Sequence, residues 1–295
     1  MWSKKLFLYL VRRLRPLSQR YPSVMRLGRY LGLRKLLSAG DRGKLVLDSD
    51  VVIELDLSVK GFRHLYYLED LQNSPEIALV KRLSDPSGCF VDVGANIGYF
   101  SLVAAKYYAQ VVAIEPSQFN LSHLGHNINL NPALAPKITT LPFAVGEQAG
   151  AKTLFRPIDQ PLAASLAPVP GFRTDEEAVY CQTLDTLLDG CLNVTTIKID
   201  TEGAEYNILQ GGKEIIQRFR PFVICEISDQ LQKRFGSDAL KIFTYFRDIG
   251  YLCIASPYMA ENTLTQASFH LEHASKKEPF NLLFVPSEAA KRLEK

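Results

Sequence analysis

Short apolar runs alternate with helix-like segments from residue 89 onward, and this alternation is the feature that most limits the fold. The runs typical of buried strands are Cys89–Val93, Val111–Glu115, Ile138–Val145, Thr195–Asp200, Phe222–Ile227, Tyr251–Ala255 and Leu282–Val285. The main helical patterns are Tyr99–Tyr108, Gln118–Leu130, Ala204–Gln210 and Asp238–Ile249. Continuous apolar strands separated by helices are typical of a mainly parallel sheet covered on both faces. The sequence therefore predicts an α/β fold with seven strands, of which the last can run antiparallel because no strong helix precedes it.

The net charge of +3 is the sum of two regions of opposite charge. Residues 1–40 contain ten Lys or Arg and no Asp or Glu, so the remaining residues carry a net charge of −7. Leucines recur at helical spacing in this basic segment, which predicts one or two helices broken by Pro16 and Pro22. The apolar stretch Leu6–Val11 is too short for a signal peptide or a membrane span, and arginines follow it, so we expect the segment to remain uncleaved.

Three regions follow from these patterns. Residues 1–40 are predicted to form a basic helical extension, and residues 41–74 a cover segment built on a β-hairpin. The hairpin is indicated by Lys44–Leu57, which is rich in Val, Leu and Ile with polar residues between them and is interrupted by a turn at Asp48–Asp50. Residues 75–290 are predicted to form the α/β domain, which opens with a capped helix.

The positions of the cysteines and histidines argue against a protein stabilised by disulfides or by structural zinc. The five cysteines are scattered and form no CxxC pair, so the sequence predicts neither a disulfide framework nor a structural zinc site, and it favours a reducing compartment. Two HxxH pairs, His123/His126 and His270/His273, have no third ligand nearby. We interpret them as surface histidines.

A glycine loop follows the first strand of the α/β region. Gly94 permits a tight turn, and Gly98 lets the next helix begin close to the sheet. Asn96 stands where a dinucleotide site has its second glycine, and Asp92 would be unfavourable beside a pyrophosphate but favourable beside the cationic groups of S-adenosylmethionine. Glu115 ends the next strand, where a carboxylate can accept both hydroxyls of a ribose. The loop favours S-adenosylmethionine over NAD, and a structural turn without a ligand is the alternative.

Carboxylates are concentrated at the ends of two later strands. Asp200, Glu202 and Glu205 fall within six positions, and Glu226 lies near the end of the next strand. We predict that Asp200 orients or deprotonates an acceptor hydroxyl. An ion pair between Asp200 and Lys198 is the structural alternative. A divalent ion held by Asp200, Glu202 and Glu226 is a further alternative, to which we prefer direct acid–base chemistry.

A proline-rich segment interrupts the alternation of strands and helices at Pro157–Asp175. Loops of this length inside a compact domain are usually functional or disordered. We predict that this segment is a lid over the acceptor. Leu162, Leu166 and Phe172 would give the lid a partly hydrophobic face, or else anchor the loop.

Taken together, these motifs resemble the FkbM family of S-adenosylmethionine-dependent methyltransferases. The matching segments are FVDVGANIGY (90–99), VAIEP (112–116), AVG (144–146), TLDTL (183–187), IKIDTEGAE (197–205) and LQGG (209–212). Their order and spacing match over residues 75–226. Thr201 departs from the pattern, since an apolar residue is more usual at that position.

The resemblance implies a Rossmann-like class I methyltransferase sheet, S-adenosylmethionine as cofactor, and O-methylation of a hydroxyl on a sugar, glycan or secondary metabolite. The residues predicted to contact the cofactor are Asp92, Gly94, Ala95, Asn96, Gly98, Glu115 and Ala144. The resemblance places Asp200 and Glu202 at the reaction site. An NAD-dependent oxidoreductase and a non-catalytic cofactor-binding adaptor remain the alternatives. The absence of a Ser/Tyr-x-x-x-Lys pattern from the sequence argues against the oxidoreductase, and the presence of Asp92, Glu115 and Asp200 argues against the adaptor.

The expected partner is a small-molecule or glycan acceptor. We expect no nucleic acid, because the acidic crevice would repel phosphates. Residues 1–20 combine apolar and basic side chains, which predicts peripheral contact with an anionic membrane surface in a cytoplasmic protein, testable by salt-sensitive binding to vesicles. A helix packed on its own catalytic domain is the alternative. The residues concerned are Trp2, Leu6, Phe7, Leu10, Arg12, Arg13 and Arg15.

Overall fold

The computed structural model describes residues 41–68, 74–255 and 279–293. The chain divides into two compact units, Met1–Ser74 and Pro75–Lys295. The helices predicted in residues 1–40 lie outside the described residues, as does most of the C-terminal polar segment. In the ranges that the structure describes, no helix combines the length and the apolar character that a membrane crossing requires.

The first unit contains the predicted hairpin. Strand β1 (Arg42–Leu47) pairs antiparallel with β2 (Val51–Asp56), and helix α1 (Lys60–Leu68) follows. Asp48 and Ser49 both have positive φ, at 43° and 75°, as a tight hairpin turn requires. Buried and more exposed residues alternate along both strands because successive side chains point to opposite faces. The predicted β-hairpin is therefore confirmed.

The second unit contains the remaining elements. Its described strands are β3 (Cys89–Val93), β4 (Gln110–Ile114), β5 (Ile138–Leu141), β6 (Ala144–Val145), β7 (Gly150–Pro157), β8 (Thr174–Gln182), β9 (Val194–Ile199), β10 (Phe222–Ile227), β11 (Tyr251–Ala255) and β12 (Phe280–Pro286). Its described α-helices are α2 (Pro75–Arg82), α3 (Tyr99–Tyr107), α4 (Gln118–Asn129), α5 (Leu184–Leu187), α6 (Glu205–Gln210), α7 (Lys213–Phe219), α8 (Asp229–Gln232) and α9 (Ala239–Asp248).

Seven of these strands form the main sheet in the order β11-β12-β10-β9-β3-β4-β5. The neighbours from β10 to β5 are parallel, whereas β12 is antiparallel to both β10 and β11. The main sheet is therefore mostly parallel, with one reversed strand between β10 and β11. The predicted fold class, including the antiparallel last strand, is confirmed.

One predicted strand is wrong. The segment expected to form a single strand at Ile138–Val145 forms two: β5 stays in the main sheet, and β6 joins a separate sheet of order β6-β8-β7. Pro142 lies between them and has no N–H to donate to a ladder, which explains the break. The hairpin of β7 and β8 was not predicted, because most of its residues are exposed or only partly buried and its apolar pattern is weak.

The central strands bring the candidate site together. Every residue of β3 is buried, and β3 lies between β4 and β9. Because β3, β4, β9 and β10 run parallel, their carboxyl ends meet at one edge of the sheet. The glycine loop and the acidic residues singled out in the sequence therefore follow strands that end side by side.

Candidate active site

The glycine loop after β3 is held against the two neighbouring strands. The backbone N–H groups of Gly94 and Ala95 both donate to the Ile114 carbonyl, at 2.9 and 3.0 Å. Gly94 has φ +83°, and a Cβ at this position would clash with the backbone carbonyl oxygen of Asp200. Glycine is required here both for the left-handed backbone and for the close approach of the β9 end. The loop thus brings the predicted cofactor and reaction residues into contact.

Asn96 continues the loop in a left-handed conformation with φ 54°. Asparagine is one of the few residues besides glycine that adopt this conformation readily, which explains why it can replace the second glycine of a dinucleotide loop. Its backbone N–H donates to Glu115 Oε2 at 2.9 Å, and its Nδ2 donates to the Leu162 carbonyl at 2.9 Å. Its Oδ1 is buried and unpartnered, and so is available as an acceptor.

Glu115 is buried at the end of β4 and accepts hydrogen bonds at both carboxylate oxygens. Oε1 accepts from the Ser117 backbone N–H at 2.9 Å and from Asn120 Nδ2 at 3.2 Å, while Oε2 accepts from Asn96. Burial raises the pKa of Glu115 to about 7, although these hydrogen bonds act in the opposite direction. The carboxylate is therefore fixed next to the glycine loop, and its contact with a ribose stays a prediction.

Asp92 lies beneath the glycine loop, with 1% of its surface exposed. Its Oδ2 accepts from Ser101 Oγ at 2.6 Å, whereas its Oδ1 is buried and unpartnered. Burial raises the pKa of Asp92, and Lys198, its register partner on β9, opposes that shift. The structure thus gives Asp92 a buried charge partner that the sequence did not suggest, and its contact with the cofactor stays a prediction.

Lys198 and Asp200 form the ion pair that the sequence analysis gave as the structural alternative for these residues. Lys198 Nζ donates to Asp200 Oδ2 at 2.8 Å and lies 4.4 Å from the centroid of the Phe100 ring. Burial alone would lower the pKa of Lys198, but Asp200, Asp92 and Glu226 together raise it above its ordinary value. The Asp200 side chain is 32% exposed, so it remains accessible to solvent while it pairs with the buried lysine.

The acidic turn after β9, residues 200–205, is stabilised by hydrogen bonds to the carboxylate of Glu205. Glu202 has φ 59° and Gly203 has φ 114°, so two consecutive residues are left-handed. Glu205 is buried, and its Oε1 accepts from the backbone N–H groups of Thr201 and Gly203 at 3.0 and 3.1 Å. The Thr201 hydroxyl donates to the same oxygen at 3.1 Å, which explains a polar residue at this position. Glu205 is therefore a structural residue that shapes the turn.

Glu202 presents the second carboxyl group predicted at the reaction site. Burial, together with the nearby carboxylates Asp200 and Glu205, raises its pKa to about 7, and Arg234 opposes this shift. A carboxyl group that titrates near neutral pH can exchange a proton under physiological conditions. Glu202 thus has the chemistry of an acid–base residue.

Glu226 lies near the end of β10, beside the same cluster. Its Oε2 is buried without a hydrogen-bond partner. Burial first, and then Asp200, Glu205 and Glu202, raise its pKa well above the ordinary value. Across the described ranges, no group of three or more His, Cys, Asp or Glu side chains is arranged to hold a metal ion.

The proline-rich segment predicted as a lid connects β7 to β8. Ser165 pairs with Phe155 in an isolated antiparallel bridge, and its Oγ donates to the Glu202 carbonyl at 3.2 Å. The Leu162 carbonyl accepts from Asn96, and Phe172 is exposed. The segment therefore lies against both the glycine loop and the acidic turn, and its movement as a lid stays a prediction.

The other predicted cofactor residues occupy different positions. Gly98 precedes α3 with φ +90°, and a Cβ there would lie 2.5 Å from Leu124 Cδ1. Ala95 is buried within the loop. Ala144 pairs with Cys181 in the separate small sheet, and its contact with a cofactor stays a prediction.

Sequence reasoning missed Ser101, Ser165 and Arg234. Ser101 contacts Asp92 from the following helix, whereas Ser165 and Arg234 contact Glu202 from distant parts of the chain, and no local pattern signals these hydrogen bonds.

Replacing Glu202 with glutamine is expected to change how stability depends on pH. The pKa of Glu202 is about 7 in the folded protein and near 4.5 when unfolded, so its contribution to stability is fully present below pH 4.5 and is lost as pH rises through 7. E202Q removes this loss, so its free energy of unfolding relative to wild type should rise by about 3 kcal/mol between pH 4.5 and 8. Urea unfolding at a series of pH values measures the difference, and a flat difference would contradict the assignment.

Comparison with known proteins supports one family. A family model described as the methyltransferase FkbM domain matches residues 92–253, more than half of the chain. Methyltransferase sdnD from Sordaria araneosa is 27% identical over 183 residues, covering 51% of this chain and 65% of that protein. The chain thus spans just under two thirds of that relative.

Solved structures are similar at low sequence identity. Methyltransferase FkbM from Methylobacillus flagellatus KT is 19% identical with a TM-score of 0.46, covering 76% of this chain and 54% of that one. The structure of M. jannaschii TYW2 in complex with AdoMet is 11% identical with a TM-score of 0.42, covering 82% of this chain and 84% of that one. This chain therefore spans about half the length of the first of these structures.

Proposed function

Because this chain belongs to the methyltransferase FkbM domain family, we propose that it is an S-adenosylmethionine-dependent O-methyltransferase acting on a hydroxyl of a sugar, glycan or secondary metabolite. The observation that carries the proposal is the junction of the glycine loop with the acidic turn. Gly94 approaches the Asp200 carbonyl so closely that no side chain fits between them. The residues that we assign to the cofactor and those that we assign to the acceptor therefore lie at one edge of the sheet, where open α/β sheets bind ligands.

The residues of the glycine loop suit S-adenosylmethionine. Asp92 Oδ1 and Asn96 Oδ1 are buried acceptors without a partner, and Glu115 is a carboxylate able to accept ribose hydroxyls. Carboxylates and carbonyl oxygens complement a ligand that carries a cation and hydroxyls, and they would repel a pyrophosphate. When bound, the cofactor supplies an electrophilic methyl group on its sulfonium.

Asp200 is the residue that we assign to the acceptor hydroxyl. Its Oδ2 is engaged by Lys198, so we assign Oδ1 to the hydroxyl, either to orient it or to take its proton. Lys198 is buried and keeps the carboxylate in one orientation. Glu202, whose pKa is about 7, provides a second group at this edge that can hold a proton near neutral pH.

Calorimetry with S-adenosylhomocysteine tests the cofactor assignment. We expect micromolar binding to the full chain at neutral pH, because the loop, Glu115 and the buried acceptors are already in place. NAD at the same concentration is the control and should give no heat of binding. Absence of S-adenosylhomocysteine binding would contradict the proposal, and NAD binding would favour the oxidoreductase alternative.

The acceptor is identified by mass spectrometry. Glycans and lipids from a strain that lacks the gene are compared with those of the parent strain, and we expect loss of single methyl increments from hydroxyl-bearing compounds. Cofactor binding without any such loss would favour the non-catalytic adaptor.

A further inference from the structure

Arg234 connects two parts of the candidate site that are far apart in the sequence. It lies in the short 3-10 turn Lys233–Phe235 after α8. Its Nη2 donates to the Glu202 carbonyl at 2.5 Å and to Ser165 Oγ at 3.3 Å, and its Nε donates to the Leu231 carbonyl at 3.4 Å. The guanidinium therefore bonds the acidic turn and the proline-rich segment at the same time.

The backbone of Glu202 needs such support. A left-handed conformation is unfavourable for a glutamate and persists only where surrounding contacts impose it. The Glu202 carbonyl accepts two hydrogen bonds, from Arg234 and from Ser165. These two donors stabilise the peptide orientation that directs the Glu202 side chain.

The same segment also reaches the glycine loop. We call residues 162–165 the strap. At one end of the strap the Leu162 carbonyl accepts from Asn96 Nδ2 at 2.9 Å, and at the other end Ser165 contacts Glu202 and Arg234. The strap thus runs from the predicted cofactor loop to the acidic turn.

We propose that Arg234 is a positioning residue, which holds the Glu202 turn and the strap together across the reaction site. The inference rests on the proposed function for the role of Glu202 in the reaction. Arg234 acts through the Glu202 carbonyl and Ser165, and its planar guanidinium can donate to several acceptors in a fixed geometry.

The positive charge of Arg234 gives a second way to detect its contact with the Glu202 turn, through the pKa of Glu202. Burial raises the pKa of Glu202, and so do the neighbouring carboxylates Asp200 and Glu205, whereas Arg234 lowers it. Glu226 belongs to the same group of carboxylates, since Glu202 raises its pKa. Loss of the Arg234 charge should therefore make Glu202 bind its proton more tightly, an effect that loss of packing alone would not produce.

The test compares three substitutions with a surface control. R234M removes the charge and keeps much of the stem, R234K keeps a charge without the planar fork, and S165A removes only the hydroxyl. R247M is the control, because Arg247 is exposed on α9 and pairs with Asp248. Each variant is made with and without E202Q. The difference in unfolding free energy rises with pH and then levels off, and the pH midpoint of that levelling reports the proton affinity of Glu202 in the folded protein. Hydrogen exchange of residues 162–165 reports the strap.

We expect R234M to raise the proton affinity of Glu202 about tenfold, which is one pKa unit, and to speed exchange in the strap. R234K should restore the midpoint but leave exchange fast, and S165A should speed exchange without moving the midpoint. R247M should match wild type. If R234M fails to fold, R234K and S165A still test the strap, and wild-type exchange in both would overturn the proposal. R234M with an unchanged midpoint and unchanged exchange would also overturn it.

Calorimetry with S-adenosylhomocysteine separates this proposal from the proposed function. Cofactor affinity should stay within about threefold of wild type in all these variants, because the described contacts of Arg234 do not involve the glycine loop. If wild type itself fails to bind, the proposed function fails, while the proton affinity and exchange results still decide the role of Arg234.

Discussion

Replacing Asp200 with asparagine is expected to slow methyl transfer by about 10²- to 10⁴-fold, while S-adenosylhomocysteine binds as tightly as to wild type. Asparagine has nearly the same shape but cannot accept the proton of an acceptor hydroxyl. Lys198 keeps Asp92 and Glu226 as acidic neighbours, so the variant should still fold. Formation of S-adenosylhomocysteine, with a glycan and lipid extract from the deletion strain as acceptor, measures the rate, and calorimetry measures cofactor binding.

D248N is the matched control for this experiment. Asp248 also pairs with a basic residue, Arg247 at 2.7 Å, but the pair is exposed at the end of α9. Exposed pairs contribute little to stability, so D248N should retain wild-type rate and affinity. If D200N loses rate and cofactor affinity in parallel, Asp200 is a binding residue. A wild-type rate in D200N would remove Asp200 from the chemistry.

Replacing Gly94 with alanine is expected to destabilise the protein by about 3 kcal/mol or more and to abolish binding of S-adenosylhomocysteine. The added Cβ would meet the carbonyl oxygen of Asp200, which is backbone and has no rotamer to adopt, and the left-handed φ of +83° adds strain. Relief of the clash requires the ends of β3 and β9 to separate, which also moves the predicted cofactor loop. Urea unfolding and calorimetry measure the two effects.

Alanine substitutions at two other glycines distinguish the effect of the clash from the effect of backbone strain. Gly236 has φ +69° but open space around its Cβ position, so G236A should cost about 1 kcal/mol. Gly125 lies inside α4 with open space, so G125A should be neutral or stabilise by up to about 1 kcal/mol. Equal destabilisation by G94A and G236A would show that strain alone accounts for the effect and that the close approach of the two strands is unimportant.

The strands of the main sheet could be located from the sequence because each is a buried apolar run. The bounds predicted for three strands are exact, those of Cys89–Val93, Phe222–Ile227 and Tyr251–Ala255, and the bounds predicted as Val111–Glu115, Thr195–Asp200 and Leu282–Val285 are shifted by one or two residues. Where this signal was absent the prediction failed. The strands β7 and β8 are rich in exposed residues, and the break that Pro142 causes between β5 and β6 was missed because apolar residues lie on both sides of it.

The main sheet, the glycine loop and the concentration of acids near it could be predicted from the sequence, because apolar periodicity and glycine positions are local properties of the chain. The surroundings of each acid became clear only from the folded arrangement. Asp92 became a buried neighbour of Lys198, Glu205 a support for the turn, and Asp200 the partly exposed carboxylate. It also brought Arg234 to Glu202, since burial and long-range hydrogen bonds depend on which strands and loops become neighbours when the sheet forms.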